Sequence, residues 1–147
     1  MFINMRLFIL SVLIMPILSY GMCINEHDKI TVTGELFIQD FPGPPNFDDI
    51  NNGDKKVRVL MLHVDSSTRL DCVIDTYYSG DKINTDSKGE GWSEFMELIP
   101  EGEISQYNKW IGSRVSITGH VFLAASPYHY TPALISDILS LKKISKK

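Results

Sequence analysis

The residues of this chain that could take part in chemistry are four histidines, two cysteines and a group of aspartates. The histidines are His27, His63, His120 and His129. They show no short spacing such as H-x-x-x-H, so the sequence predicts no zinc or copper site. Asp48, Asp49 and Asp54 lack the regular oxygen spacing of a calcium loop. We expect these aspartates to bond nearby backbone amides and to remain solvated.

A catalytic nucleophile is also hard to find in this sequence. Serine, histidine and aspartate are present, but no serine stands in a strand-turn-helix elbow. Neither Cys23 nor Cys72 is free to act as a nucleophile if the two form a disulfide. We therefore expect no catalytic residues and no cofactor.

Length, composition and charge fit one globular domain. The chain has 147 residues, of which 44% are hydrophobic and 22% are charged. The formal charge is −4, and it becomes −5 without residues 1–21, which contain Arg6 and no acid. Binding to nucleic acid depends on a surplus of lysine and arginine, so we expect no nucleic-acid partner.

Residues 1–21 have the pattern of a signal peptide. Arg6 precedes an apolar run over residues 7–18, which Pro16 interrupts. This run is too short to cross a bilayer as a helix. The pattern predicts export, with no stable membrane insertion after the signal peptide is removed.

Small residues before the first cysteine indicate where the signal peptide ends. Ser19 and Gly21 fit the small-residue positions of a cleavage site, which predicts cleavage after Gly21. The mature chain would then be a single periplasmic or secreted domain over residues 22–147. The alternative is a lipoprotein anchored at Cys23, but Met22 is not the small residue that such signals favour.

Export gives the two cysteines an expected role. An even number of cysteines in an oxidising compartment predicts one disulfide, between Cys23 and Cys72. This bond would fix the new N-terminus to the middle of the domain. The alternative is a pair of buried thiols.

Alternation of apolar and polar residues predicts the strands. Residues 30–37 (ITVTGELF) and 115–122 (VSITGHVF) share a period of two and a glycine at the same place. The expected strands cover residues 29–38, 57–65, 69–77, 114–125 and 133–141, and a short helix is expected at 103–111. Residues 79–91 are expected to form a mobile surface loop, and residues 92–100 a strand or turn.

Five strands with a helix between the third and the fourth predict a mainly β protein, a small OB-like Greek-key barrel. In such barrels the loop between strands 1 and 2 and the loop between strands 4 and 5 converge beside one face. In this chain those loops are residues 40–56 (DFPGPPNFDDINNGDKK) and 126–132 (SPYHYTP). Both loops are rich in aromatic residues and proline, which the turns alone do not require.

Several motifs together resemble a family of small exported bacterial domains of unknown function. They are FPGPPN at residues 41–46, GD at 53–54, VSITG at 115–119 and HYTP at 129–132. The resemblance covers nearly all of residues 22–147 and implies no reaction. It also implies a cysteine pair at Cys23 and Cys72. The family is often rich in histidine before its Thr-Pro, whereas here Tyr128 and Tyr130 flank a single histidine, so no metal site is inferred.

We expect the two loops to form one binding surface. The candidate residues are Phe41, Pro44, Asn46, Phe47, Asp54, Tyr128, His129, Tyr130 and Thr131. The alternative for the proline-rich loop is a plug that closes one end of the barrel. The sequence thus predicts a monomeric, exported, non-enzymatic module that binds a protein or peptide of the envelope. The alternative is a protein that binds a small molecule, a glycan or a metal between the same loops.

Overall fold

The computed structural model describes residues 24–68, 70, 72–74, 82–84 and 94–145. The predicted signal peptide and Cys23 lie outside these residues. Of Cys72 only the backbone is described, so the predicted disulfide stays a prediction. Within the described part of the chain, no helix is long and apolar enough to cross a membrane.

The described residues form a mainly β protein, as the sequence predicts. The strands are β1 (Ile24–Asn25), β2 (Lys29–Pro42), β3 (Lys56–Val64), β4 (Cys72–Ile74), β5 (Lys82–Asn84), β6 (Phe95–Leu98), β7 (Arg114–Leu123) and β8 (Ala133–Lys143). Short 3₁₀ helices cover Ile50–Asn52 and Ile104–Trp110. The second of these lies where the sequence predicts a helix.

Five of the strands form one mixed sheet. The hydrogen-bonded order is β2-β3-β6-β8-β7, and β7 in turn pairs with β2. The pair of β6 and β8 is parallel, whereas the other pairs are antiparallel. Counted along the chain, β6 is the third strand of this sheet and β7 is the fourth. The 3₁₀ helix Ile104–Trp110 connects them.

The third strand of the sheet is not the one that the sequence indicated. The strand predicted at residues 69–77 corresponds to β4, which belongs to a small separate sheet of order β1-β4-β5. The third strand is instead β6, whose four residues are too few to show a clear period. The predicted loop over residues 79–91 contains β5. Cross-strand pairing, which local pattern does not report, decides these positions.

β2 is longer than predicted and continues four residues past Ile38. Asp40 pairs with Arg58, and Pro42 with Lys56. A proline is tolerated here because the pairing of β2 with β7 has already ended, so Pro42 has a neighbouring strand on one side only. The first loop therefore begins at Gly43.

The core agrees with the predicted alternation of β7. Val115, Ile117 and Val121 are fully buried, and Leu123 is 7% exposed. Gly119 lies in the same inward-facing row, where a β-carbon would meet the side chain of Ile135. In a well-packed interior this crowding excludes a side chain.

The repeated glycine has the same explanation in β2. A β-carbon at Gly34 would meet the backbone carbonyl of His63 on β3. The shared glycine of the two alternating stretches thus marks two places where neighbouring strands approach closely. In the middle of β3 both faces are covered, since Val59 and Met61 are buried as well as Leu60 and Leu62.

Candidate functional site

The two aromatic loops are in contact, as predicted. The ring of Phe41, at the end of β2, stacks on Tyr130 with 4.4 Å between centroids and 17° between planes. The ring of Phe47 meets Tyr128 edge to face at 4.8 Å and 90°. Both arrangements are favourable for aromatic pairs. We call residues 41–54 and 126–132 together the two-loop surface.

A buried aspartate organises the first loop. Asp54 is only 6% exposed, and its carboxylate accepts hydrogen bonds from the backbone N–H groups of Asp48 (2.7 Å), Asn46 (2.8 Å) and Asp49 (3.0 Å). The bonds from Asp48 and Asn46 lower the pKa of Asp54, because they stabilise its charged form. The predicted bonding to backbone amides is thus confirmed, but the predicted solvation is wrong for Asp54.

The backbone at Phe47 is in the left-handed region, with φ at 59°. This conformation is unusual for a bulky residue and is held by its surroundings. The N–H of Phe47 donates to the carbonyl of Gly43 (2.9 Å), and the N–H of Lys55 donates to the carbonyl of Pro44 (2.9 Å). The first loop therefore holds the Phe47 ring against Tyr128 at a conformational cost.

Buried polar groups fix the base of the second loop. The hydroxyl of Thr131, which is 6% exposed, accepts from the N–H of Glu97 (2.9 Å) and donates to the carbonyl of Ala133 (2.7 Å). The hydroxyl of Tyr130 donates to the carbonyl of Pro42 (3.2 Å). Thr131 and Tyr130 thus connect the loop to β6, β8 and β2.

Glu97 belongs to this site, although the sequence reasoning missed it. Its side chain lies beneath the second loop, where a carboxylate oxygen accepts from the N–H of Tyr130 (2.7 Å). Burial raises the pKa of Glu97, while the hydrogen bond from the N–H of Tyr130 acts in the opposite direction. The signal in the sequence is a single acid in the apolar run FMELIP, which indicates that something covers it.

The predicted site residue His129 braces the second loop from within. Its ring Nδ1 accepts from the backbone N–H of Ala125 (2.9 Å), and its backbone N–H donates to the carbonyl of Ser126 (3.0 Å). Its ring meets Phe122 edge to face at 5.8 Å. Among the described residues, no group of three or more His, Cys, Asp and Glu could hold a metal ion.

A shallow cleft lies beside the exposed ring of Tyr128. Its space for water-sized molecules is about 130 Å³, and its walls come from β3, the end of β6 and the residues that follow β6. Of the predicted site residues, Tyr128 and Tyr130 line this cleft. Pro44 and Asn46 lie in the first loop away from it, with Pro44 half-buried and Asn46 exposed.

Comparisons of the chain with protein-family models, with curated proteins and with solved structures found no significant match. The resemblance of the FPGPPN and HYTP motifs to an exported family therefore stays a prediction. The case for a function rests on the geometry of the two-loop surface and of the cleft.

Proposed function

We propose that this protein is an exported, non-enzymatic module that binds a protein or peptide through the two-loop surface. In this proposal the five-stranded sheet is an OB-like Greek-key barrel. The return of the strand order to β2 and the helix between the third and fourth strands support that assignment. The loops would then lie where OB-like barrels carry their ligands.

The observation that carries this proposal is the joining of the two loops around an exposed tyrosine. Tyr128 is 54% exposed, yet its ring is held by Phe47, whose own backbone is strained. A ring fixed before binding loses little conformational entropy when a partner arrives. Tyrosines in such positions often contribute much of the binding energy at protein interfaces.

The size of the cleft favours a polypeptide over a small molecule. Small-molecule sites typically enclose about 300–1,000 Å³. The cleft offers about 130 Å³, which is enough for one side chain but small for a whole ligand. The second candidate is a small molecule, glycan or metal, which the tyrosine rings and the Glu97 carboxyl in the cleft walls would favour.

The bonding of the polar side chains supports binding rather than catalysis. Asp54 is engaged by three backbone amides, and His129 by the N–H of Ala125. The Thr131 hydroxyl accepts from the backbone N–H of Glu97 and donates to the backbone carbonyl of Ala133. These groups stabilise the loops through hydrogen bonds, as buried polar side chains commonly do.

Affinity capture from envelope extract tests this function. We expect wild-type protein to retain one stoichiometric partner, and Tyr128→Ala to weaken its binding by about tenfold or more, as truncation of a central aromatic residue does. Leu139→Ala is the matched control, because Leu139 is 55% exposed on β8 and should not affect capture. Equal capture by all three proteins would contradict the proposal.

A thermal-shift panel of metal ions, glycan fragments and small metabolites tests the second candidate. A ligand that binds only the folded state raises the melting temperature. If a panel member raises it in the wild type but not in Tyr128→Ala, and no protein is captured, the small-ligand alternative replaces our proposal.

A further inference from the structure

One segment of β3 has a strand neighbour on one side only. β3 pairs with β2 over its whole length, from Lys56 to Val64, but with β6 only from Leu60 to His63. Within the described part of the chain, residues 56–59 therefore have no ladder partner on the side of β6. An unpaired strand edge presents backbone donors and acceptors that another chain can use.

Two hydrogen bonds at the ends of the β2–β3 ladder show which β3 residues face β2. The N–H of Asp65 donates to the carbonyl of Thr33 (2.8 Å), and the N–H of Gly43 donates to the carbonyl of Lys55 (2.7 Å). In an antiparallel pair the residues that exchange hydrogen bonds alternate along each strand. The backbone groups of the odd-numbered residues of β3 therefore face β2.

The even-numbered residues of β3 face the opposite side. This is visible at Val64, whose N–H donates to the carbonyl of Glu94 (2.7 Å), just before β6. The same alternation directs the N–H and the carbonyl of Arg58 away from β2 and toward the unpaired side.

The reason why β6 does not continue along this edge is a proline. The β3–β6 register pairs Leu60 with Leu98. Two residues further along, Arg58 would face Pro100, which has no N–H to donate. β6 ends at Leu98, so among the described strands none pairs with Arg58 on this side.

The cleft lies at this position. Val57, Arg58 and Val59 line it from β3, and Leu98 and Pro100 line it from the chain that leaves β6. Its space of about 130 Å³ is enough for one side chain of a bound peptide. An aliphatic side chain with four carbon atoms would fill a similar space.

The charges at the rim favour an acidic occupant. The carboxylate of Asp40 lies 3.1 Å from the Lys56 amine and 3.5 Å from the Arg58 guanidinium, so two cations share one carboxylate. Asp40 is also the cross-strand partner of Arg58 on the β2 side. An Asp or Glu opposite Arg58 on a new strand would repeat this pairing on the other side. Glu97 also lines the cleft, but its carboxylate already accepts a hydrogen bond from the Tyr130 N–H.

The same charges disfavour a second copy of this edge as the occupant. Two copies that paired edge to edge around Arg58 would bring Lys56 and Arg58 of one copy against those of the other. Like charges directly opposite each other destabilise a strand pair.

We propose that the partner binds as an extended segment that adds a strand to β3 at Arg58. One aliphatic side chain of the segment enters the cleft beneath Tyr128, and an acidic side chain lies opposite Arg58. In such strand addition the main-chain hydrogen bonds supply affinity and the side chains supply specificity. This inference rests on the proposed function, since it specifies how a peptide partner would be held.

The first test is selection of binders from a phage-displayed library of random linear heptapeptides on the purified protein. We expect enrichment of peptides with Asp or Glu next to an aliphatic residue, and weaker binding of a synthetic peptide when its acid is replaced by Lys. Arg58→Pro, which removes the N–H, should bind the selected peptide about tenfold more weakly than Arg58→Ala, which removes the charge and keeps the N–H.

The second test needs no substitution at the edge. Amide hydrogen exchange followed by NMR should show rapid exchange of the Arg58 N–H in the free protein and protection when the selected peptide is added. The N–H groups of Val57 and Val59 are the internal controls, because they face β2 and should be protected in both states.

The outcomes separate this inference from the proposed function. If peptide binding weakens in Tyr128→Ala but is equal in Arg58→Pro and Arg58→Ala, and the Arg58 N–H gains no protection, strand addition is wrong and the two-loop surface still binds. If Tyr128→Ala also binds unchanged, both proposals fail for this peptide class. If no peptide is enriched, strand addition is overturned, and the capture experiment with Tyr128→Ala decides the proposed function.

Discussion

Two buried carboxyl groups, one beneath each loop, hold the two-loop surface, and their surroundings act on them in opposite directions. Asp54 accepts three backbone N–H groups, and these bonds lower its pKa. Glu97 accepts the N–H of Tyr130, and burial raises its pKa. The contribution of Asp54 to stability should therefore fall as the pH is lowered, whereas that of Glu97 should rise.

Asp54→Asn should lower the melting temperature at neutral pH, because an amide cannot match a carboxylate as an acceptor of three N–H bonds. The folded pKa of Asp54 lies below its ordinary value of 3.8. Its contribution is therefore present above about pH 3.8 and is lost as the pH falls through the folded pKa. The gap between wild type and variant should narrow in acid, as thermal melts from pH 7 to pH 2.5 would show.

The control for this measurement is Asp48→Asn, in the same loop. The Asp48 side chain is exposed, whereas its backbone N–H is the group that bonds to Asp54. This variant should melt close to the wild-type temperature at pH 7. Equal losses in the two variants would mean that Asp54 does not organise the loop.

Glu97→Gln should show the opposite dependence on pH. The folded pKa of Glu97 lies above its ordinary value of 4.5, so the carboxyl favours folding most strongly below about pH 4.5. That contribution is lost as the pH rises through the folded pKa. The melting temperature of the wild type relative to Glu97→Gln should rise as the pH is lowered from 7 to 4.5. A relative melting temperature that falls over this range would contradict a raised pKa for Glu97.

At the level of secondary-structure elements, the sequence predicted those parts whose pattern is long enough to be periodic. β7 alternates over ten residues, and its buried and half-buried positions are the predicted ones. β6 has four residues, and its place in the sheet depends on pairing with β3 and β8, which are distant in sequence. The cleft could not be predicted, because it exists only where Pro100 ends the pairing of β6 with β3.

The contact between the loops was predictable because topology alone places them side by side. The burial of Asp54 and Glu97 was not, because it depends on how each loop folds back over its own base. The bonding of Asp54 to backbone amides could be predicted, since aspartate in a turn commonly bonds to nearby amides. The backbone strain at Phe47 has no signature in the residue type.

The aromatic contacts between the loops should be energetically coupled. We expect a double-mutant cycle of Phe41→Ala and Tyr130→Ala to give a coupling of about 0.5–1.5 kcal/mol in the free energy of unfolding, because the two rings stack directly. Denaturant unfolding of wild type, both single variants and the double variant measures it. Phe47 and Tyr128 provide a second cycle.

A pair of residues on β2 and β8, which are not neighbours in the sheet, is the control for these cycles. Phe41→Ala combined with Leu139→Ala should be additive within about 0.5 kcal/mol if the two residues are independent. If both aromatic cycles are also additive, the loops are neighbours without being one unit.

For the molecule as a whole, the small sheet indicates how β1, the first described strand, is held. β1 pairs in parallel with β4, and Ile24 is opposite Val73. Cys23 and Cys72, the cysteines predicted to form a disulfide, directly precede Ile24 and Val73 in the sequence. The spacing of neighbouring strands, about 4.8 Å, is within the range that a disulfide spans.

The predicted disulfide between Cys23 and Cys72 would close a loop of about 50 residues, for which chain entropy gives at most roughly 4 kcal/mol. Thiol labelling of the exported, denatured and unreduced protein should detect no free thiol. Reduction should then release two thiols and lower the melting temperature. Two labelled thiols before reduction would show that the bond is not formed.

The most direct test of the two-loop surface as a binding site is photo-crosslinking in living cells. A photo-reactive phenylalanine analogue, which keeps an aromatic ring, replaces Tyr128 in one variant and Leu139, which is similarly exposed, in another. We predict that position 128 forms one adduct of defined mass with a second polypeptide, and that excess unlabelled wild-type protein suppresses it. Position 139 should form none. No adduct at position 128, or the same adduct at both positions, would contradict a protein-binding role for the joined loops.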